Sequence, residues 1–151
     1  MGITDKRQYH RMNSISQKII DCIQRGNKVL LAGNGGSSAQ ASHLSEELIA
    51  HAIPAIALND PQVITALAND FSYEEVFSRY LKALGNAGDL FISFTTSGKS
   101  KNLINATKTA KELGMEVLEW PHKKGKTTEE KQNFQLVEMH RVYKEVVKAL
   151  K

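Results

Sequence analysis

The sequence predicts an α/β fold, a three-layer sandwich in which a parallel, flavodoxin-like sheet is covered by helices on both faces. Three observations lead there. Short apolar runs alternate with stretches of helical periodicity, a glycine-rich segment stands where the first run ends, and 151 residues with 41% hydrophobic content are enough for one domain with a real core. The chain is therefore read as a single domain over residues 1–151, with an N-terminal helix and a C-terminal helix over 129–151.

Met12, Ile15, Ile19, Cys22 and Ile23 recur at helical spacing, and Arg25-Gly26-Asn27 ends that helix. Lys28 to Ala32 is a short apolar run that meets Gly33-Asn34-Gly35-Gly36, and a Ser/Ala-rich stretch of good helix propensity follows. Pro54 to Leu58 reads as a buried strand, and Pro61 to Asn69 and Ser72 to Leu84 read as helices. Asp89 to Phe94 is a third strand, Lys101 to Leu113 a helix and Met115 to Glu119 a fourth strand. Alternation at this spacing requires parallel strands joined by crossover helices. The segment WPHKKGKTTEEKQN is polar, with Trp120-Pro121 marking a loop over the sheet edge, and Gln132 to Lys151 is helical. In that last helix Leu136, Met139, Tyr143, Val147 and Leu150 form one stripe, while Phe134, Val137, Val142 and Val146 lie off it. A helix apolar on more than one side has to be covered twice, which points to an oligomer.

Charge and cysteine content narrow the function classes. Twenty Lys and Arg against 16 Asp and Glu give a net charge of +4 without a concentrated basic tract, which favours small anions over a nucleic-acid backbone. No apolar run reaches the roughly 18 residues of a membrane span, and the opening MGITDKRQYH has no hydrophobic signal core, so a cytoplasmic protein is expected. The single cysteine, Cys22, reads as a small buried hydrophobe. Any metal must then be held by His, Glu, Gln or Asp.

Gly33-Asn34-Gly35-Gly36-Ser37-Ser38 sits where a strand gives way to a helix, the position at which open α/β sheets bind ligands. Glycines admit close backbone approach, and the helix start offers free N–H groups and a positive dipole end to an anion. The segment is neither a Walker loop nor a dinucleotide fingerprint, and alone it could be a tight turn with Ser37 as a helix cap. A second segment of the same kind shifts the balance. Thr95-Thr96-Ser97-Gly98-Lys99-Ser100 also follows a strand and opens a helix, and two such loops from one sheet can converge on one phosphate.

Read together, AGNGGSSAQASHLSEEL, PAIALNDPQVITALANDFSYEEVFSR, ALGNAGDLFISFTTSGKSKNL and AKELGMEV resemble the sugar-isomerase (SIS) domain of bacterial phosphoheptose isomerases. The resemblance runs from about Lys28 to Val117 and resumes in the last helix. It implies that Ser37, Thr95, Thr96, Ser97 and Ser100 hold a sugar phosphate beside Gly35 and Gly36. It also places Asn34, Asp60, Asn69 and Asp70 around the sugar.

His43 and Glu47 are one helical turn apart, about 6 Å along the axis, so an imidazole and a carboxylate can share a pocket as an acid–base pair or as metal ligands. A solvated or interfacial pair would read the same way from spacing alone. Gln132, Leu136 and His140 lie on one ridge of the last helix, so two polar groups interrupt an apolar stripe. The resemblance assigns both pairs. In that family a His and a Glu just after the glycine loop join a Gln and a His of the final helix around a metal, usually zinc, which makes His43, Glu47, Gln132 and His140 the ligand set here. Gln132 and His140 stand about 12 Å apart along the helix, so both must reach inward to meet one ion.

The reaction the resemblance implies is aldose–ketose isomerisation of a phosphorylated seven-carbon sugar through an enediol, with Glu47 as base and His140 as acid, in a homotetramer whose sites lie between subunits. A non-catalytic sugar-phosphate sensor and an isomerase of another phosphosugar are the competing readings. Lys99 stands where the family more often has Asn and reads as a solvated lysine, and Arg79 matches a family position that a surface ion pair would also explain. His10, His51 and His122 read as surface groups. Compared with the family, the chain has a shortened N-terminal region, has Ile49-Ala50-His51-Ala52-Ile53 in place of a longer basic connection, and lacks a strand and loop between Glu119 and Thr128. A four-stranded sheet is the consequence.

Overall fold

A computed structural model describes residues 6–122 and 124–151, with side chains from residue 15 onward. Met12 and His10 thus fall outside the described side chains. Six helices and four strands follow in the order α1 (Lys6–Gln24), β1 (Val29–Gly33), α2 (Gly36–Ala50), β2 (Ala55–Ala57), α3 (Pro61–Asp70), α4 (Val76–Leu84), β3 (Leu90–Phe94), α5 (Lys101–Glu112), β4 (Glu116–Glu119) and α6 (Thr128–Leu150). All strand pairs are parallel and the order is β2-β1-β3-β4, so β1 and β3 are the central strands. The expected four-stranded parallel sheet is the observed one. The register pairs Gly33 with Phe94, which sets the ends of β1 and β3 side by side at the carboxyl edge.

The two central strands are buried at every position, as continuous apolar runs covered on both faces must be. Successive residues point to opposite sides. Val29, Leu31, Leu90, Ile92 and Phe94 enter a core built with α1, α2 and α6, whereas Leu30, Ala32 and Phe91 enter a second core with α4 and α5. The edge strands are short, with exposed Glu116 and Glu119 on β4, a composition that discourages pairing with another chain.

Several expectations are corrected by packing. The segment from Ser72 is a short 3-10 turn, Tyr73–Glu75, before α4 begins. Residue 35, not Ser37, caps α2, and Ser37 is buried in its first turn. Trp120 is a core residue with no exposed surface, stacked on Phe94 at 4.9 Å, rather than a loop residue over the sheet edge. The inward face of α6 is Gln135, Met139, Val142, Val146 and Val147, so the stripe is rotated and Leu136 is on the outside. The helix starts one residue earlier than expected because Thr127 and Glu130 close a capping box. Burial pushes the Cys22 thiol up to about 11, which keeps it an inert core group.

Candidate active site

In a sheet of this order, the chain leaves β1 toward one side and β3 toward the other, so a crevice opens between the ends of these two strands. The two loops singled out in the sequence meet there. Gly33 ends β1 where any Cβ would lie 2.6 Å from the backbone of Ser37, so only glycine lets α2 turn back this tightly. The Asn34 and Asn102 side chains exchange a reciprocal pair of amide hydrogen bonds of 2.9 and 3.0 Å, and the Tyr73 hydroxyl donates to Asn34 Oδ1 at 2.8 Å. Asn34 therefore ties the β1 loop to the start of α5 and to the turn before α4. Asn102 and Tyr73 have no local sequence signal, because their contacts span 68 and 39 residues.

After β3, the loop folds on its own side chains. Thr95 Oγ1 accepts from Gly98 N at 3.0 Å and Ser97 Oγ from Lys99 N at 3.1 Å, while Gly98 takes φ 68°. Ser100 opens α5 without a side-chain cap, which leaves its hydroxyl and the first helical amides available to an anion. Ser93, Thr95, Gly98, Ser100 and Glu119 line a small cavity of about 20 Å³ behind this loop. Lys99 is exposed, as expected.

Asp60, Asn69 and Asp70 are exposed at the two ends of α3. Asp60 is committed to capping α3 through Val63 N at 3.0 Å, and Asn69 Nδ2 donates to Asp70 at 3.1 Å. Arg79 pairs with Glu75 at 3.2 Å and also lies over the Phe71 ring at 3.2 Å, so it is more than a surface ion pair.

The polar residues of α2 and α6 converge. His43 Nε2 lies 3.3 Å from His140 Nε2 and 3.6 Å from Glu47 Oε1. The His43 and His140 rings meet edge-on, and Tyr143 packs against His140. These three groups, 97 residues apart at the extremes, form one cluster that spacing on each helix anticipated only in halves. Gln132 sits differently. Its side-chain amide lies over Gly36, where a Cβ would collide with Nε2, and its carbonyl accepts from Gln40 Nε2 at 2.8 Å. It covers the glycine loop rather than completing a described contact with the histidines. Among the described residues, no group of three or more His, Cys, Asp or Glu is arranged as a finished metal cage. The donor chemistry nevertheless suits a cation: two ligands on one tetrahedral zinc at 2.0–2.1 Å stand about 3.3–3.4 Å apart, the spacing of the two imidazole nitrogens.

Of the remaining histidines, His122 is not a bare surface group, since its Nε2 sits 2.5 Å from Glu119 Oε1. His51 bonds the Glu47 carbonyl at 2.9 Å at the end of α2. No helix among the described residues is long and apolar enough to cross a membrane.

The chain is similar to phosphoheptose isomerases. The one from Sodalis glossinidius is 40% identical over 129 residues, covering 82% of this chain and 66% of the relative, and that from Cytophaga hutchinsonii is 43% identical over 127 residues, 78% and 66%. The chain thus spans slightly under two thirds of the length of these curated relatives. Among solved structures, a phosphoheptose isomerase from Neisseria gonorrhoeae superposes with a TM-score of 0.86 at 29% identity, covering 91% of this chain and 85% of that one. Another from Francisella tularensis gives 0.85 at 26% identity. The SIS-domain profile matches residues 3–118, the stretch that builds the sheet and both of its loops, and on that match the chain belongs to the SIS-domain family.

Proposed function

We propose that this chain is a phosphoheptose isomerase, interconverting sedoheptulose 7-phosphate and D-glycero-D-manno-heptose 7-phosphate through an enediol. The observation that carries the reading is the meeting of His43, Glu47 and His140 between α2, which follows the glycine loop, and α6, which holds the Thr95–Ser100 loop. The similarity to phosphoheptose isomerases supports the same substrate class.

The phosphate is held by Ser37, Thr95, Thr96, Ser97 and Ser100 and by the amides of the two loops, with Gly35 and Gly36 allowing close approach. Asn34, Asp60, Asn69, Asp70 and Gln132 border the sugar. Glu47 takes a proton from C1 of the ketose, exchanges it with solvent and delivers a proton to C2, while His140 gives a proton to the carbonyl oxygen at C2 and receives one from the hydroxyl at C1. The net change is one hydrogen moved between neighbouring carbons and one between their oxygens, with nothing added. His43, Glu47, Gln132 and His140 would hold a zinc ion, which when bound would polarise the carbonyl. The reading includes a cytoplasmic homotetramer with sites between subunits, supported by Phe134 and Val137, 51% and 59% exposed on the outer side of α6.

Glu47→Gln tests the assignment. Turnover of sedoheptulose 7-phosphate is expected to fall by about 10²–10⁴-fold while sugar-phosphate binding persists. Retained turnover would remove Glu47 from the chemistry, and a wild-type chain that binds the sugar phosphate without turnover would favour the sensor.

A further inference from the structure

Two side chains of α6, one turn apart, grip the backbone of the Thr95–Ser100 loop. Gln135 Nε2 donates to the Thr95 carbonyl at 2.9 Å, and Lys131 Nζ donates to the next carbonyl, Thr96, at 3.0 Å. Gln135 is 1% exposed, on the face that continues as Met139, Val142 and Val146, and its Oε1 has no hydrogen-bond partner among the described residues. A buried amide with half of its capacity unused is costly, so its presence on an otherwise apolar face calls for a reason.

Peptide geometry supplies one. In a planar trans peptide, the C=O and the following N–H point in opposite directions, and the described chain has no cis bond. Directing the Thr95 and Thr96 carbonyls toward α6 therefore turns the amides of Thr96 and Ser97 away from it. Among the described residues, neither amide donates to another group. The loop's other polar bonds, Gly98 N to Thr95 Oγ1 and Lys99 N to Ser97 Oγ, leave these two N–H groups free. Two successive amides held on one side of a turn form an anion-binding nest.

We infer that Gln135 and Lys131 are positioning residues that aim the Thr96 and Ser97 amides at the substrate phosphate. The inference rests on the proposed sugar-phosphate function and adds residues outside the loops themselves. It also joins α6, which carries His140, mechanically to the phosphate loop, while Gln40 joins the same helix to α2 through the Gln132 carbonyl.

Gln135→Met is the test, because it keeps the volume while removing both the donor and the unpartnered oxygen. Inorganic phosphate, titrated into the full chain by calorimetry, is expected to bind about tenfold more weakly than to wild type, the order of one hydrogen bond. The KM for sedoheptulose 7-phosphate should rise to match with kcat changed by less than about threefold, and the melting temperature should hold. Lys131→Met, at a partly exposed position that folding tolerates, should shift phosphate affinity the same way, and Lys131→Arg should restore it. Equal phosphate binding by wild type and Gln135→Met would overturn this inference alone. A wild-type chain that binds no phosphate would overturn it together with the proposed function.

Discussion

At the amino edge of the sheet, remote from the loops, Asp89 is 1% exposed and fully engaged. Lys28 Nζ lies 2.7 Å from one of its oxygens, and Asn27 Nδ2 and the amides of Lys28 and Asn86 complete the set. Burial by itself would raise this carboxyl, but these hydrogen bonds outweigh it and hold the group below the ordinary carboxylate value of 3.8. Because its folded value is the lower one, its contribution to stability is complete above the unfolded value and is lost as pH falls through the folded one. Unfolding midpoints should therefore drop on acidification below about pH 4. Asp89→Ala should cost about 1–3 kcal/mol by leaving the Lys28 and Asn86 amides without their acceptor and should flatten that acid limb, as chemical denaturation across pH would read. Side chains of this sort show how far single residues are legible in a sequence. The one-turn spacing of His43 and Glu47 fits a solvated pair equally well, and the ridge that carries Leu136 and His140 is not the buried one, so the resemblance, not the pattern, singles these residues out. Asn102, Tyr73, Gln135 and Lys131 are singled out by neither, because each acquires its meaning from a partner 35 or more residues away.

The elements were more legible than their ends. Runs such as Val29–Ala32 and Leu90–Phe94, apolar but for Ser93, mark strands buried on both faces, and their alternation with helical stretches makes those strands parallel. The strand edges differ by at most one residue, since pairing rather than hydrophobicity fixes where a ladder stops. The inward stripe of the last helix is rotated from the one that apolar spacing predicts, because Gln135 is buried and Leu136 is not, and a polar residue at the centre of the buried face defeats a count of apolar positions. Its start carried a usable signal in Thr127 and Glu130, three apart. Thr127→Ala removes the acceptor for Glu130 N and is expected to lower stability by about 1 kcal/mol. The loss should show as a lower denaturant midpoint with an unchanged slope.

On the scale of the molecule, the two central strands bring both loops to one edge, and α2 and α6, packed on the same face, bring both halves of the His–Glu cluster together. That the strands are parallel follows from the alternation of elements, whereas the order β2-β1-β3-β4 and the meeting of α2 with α6 depend on long-range contacts that only the folded chain shows. The exposed Phe134 and Val137 on α6 mark the face expected to be covered by other subunits. Phe134→Asp combined with Val137→Asp should convert an oligomer to a monomer in light scattering and reduce turnover, because the sites are proposed to lie between subunits. A wild-type monomer with full activity would contradict that arrangement.

Proton transfer between C1 and C2 of a phosphorylated ketose is the step on which the proposed function rests, and NMR in D2O reads it out. With sedoheptulose 7-phosphate and added zinc, aldoheptose 7-phosphate carrying deuterium at C2 is expected, together with exchange of deuterium into C1 of the ketose. A folded chain that binds the sugar phosphate yet gives neither product nor label would contradict the proposed function.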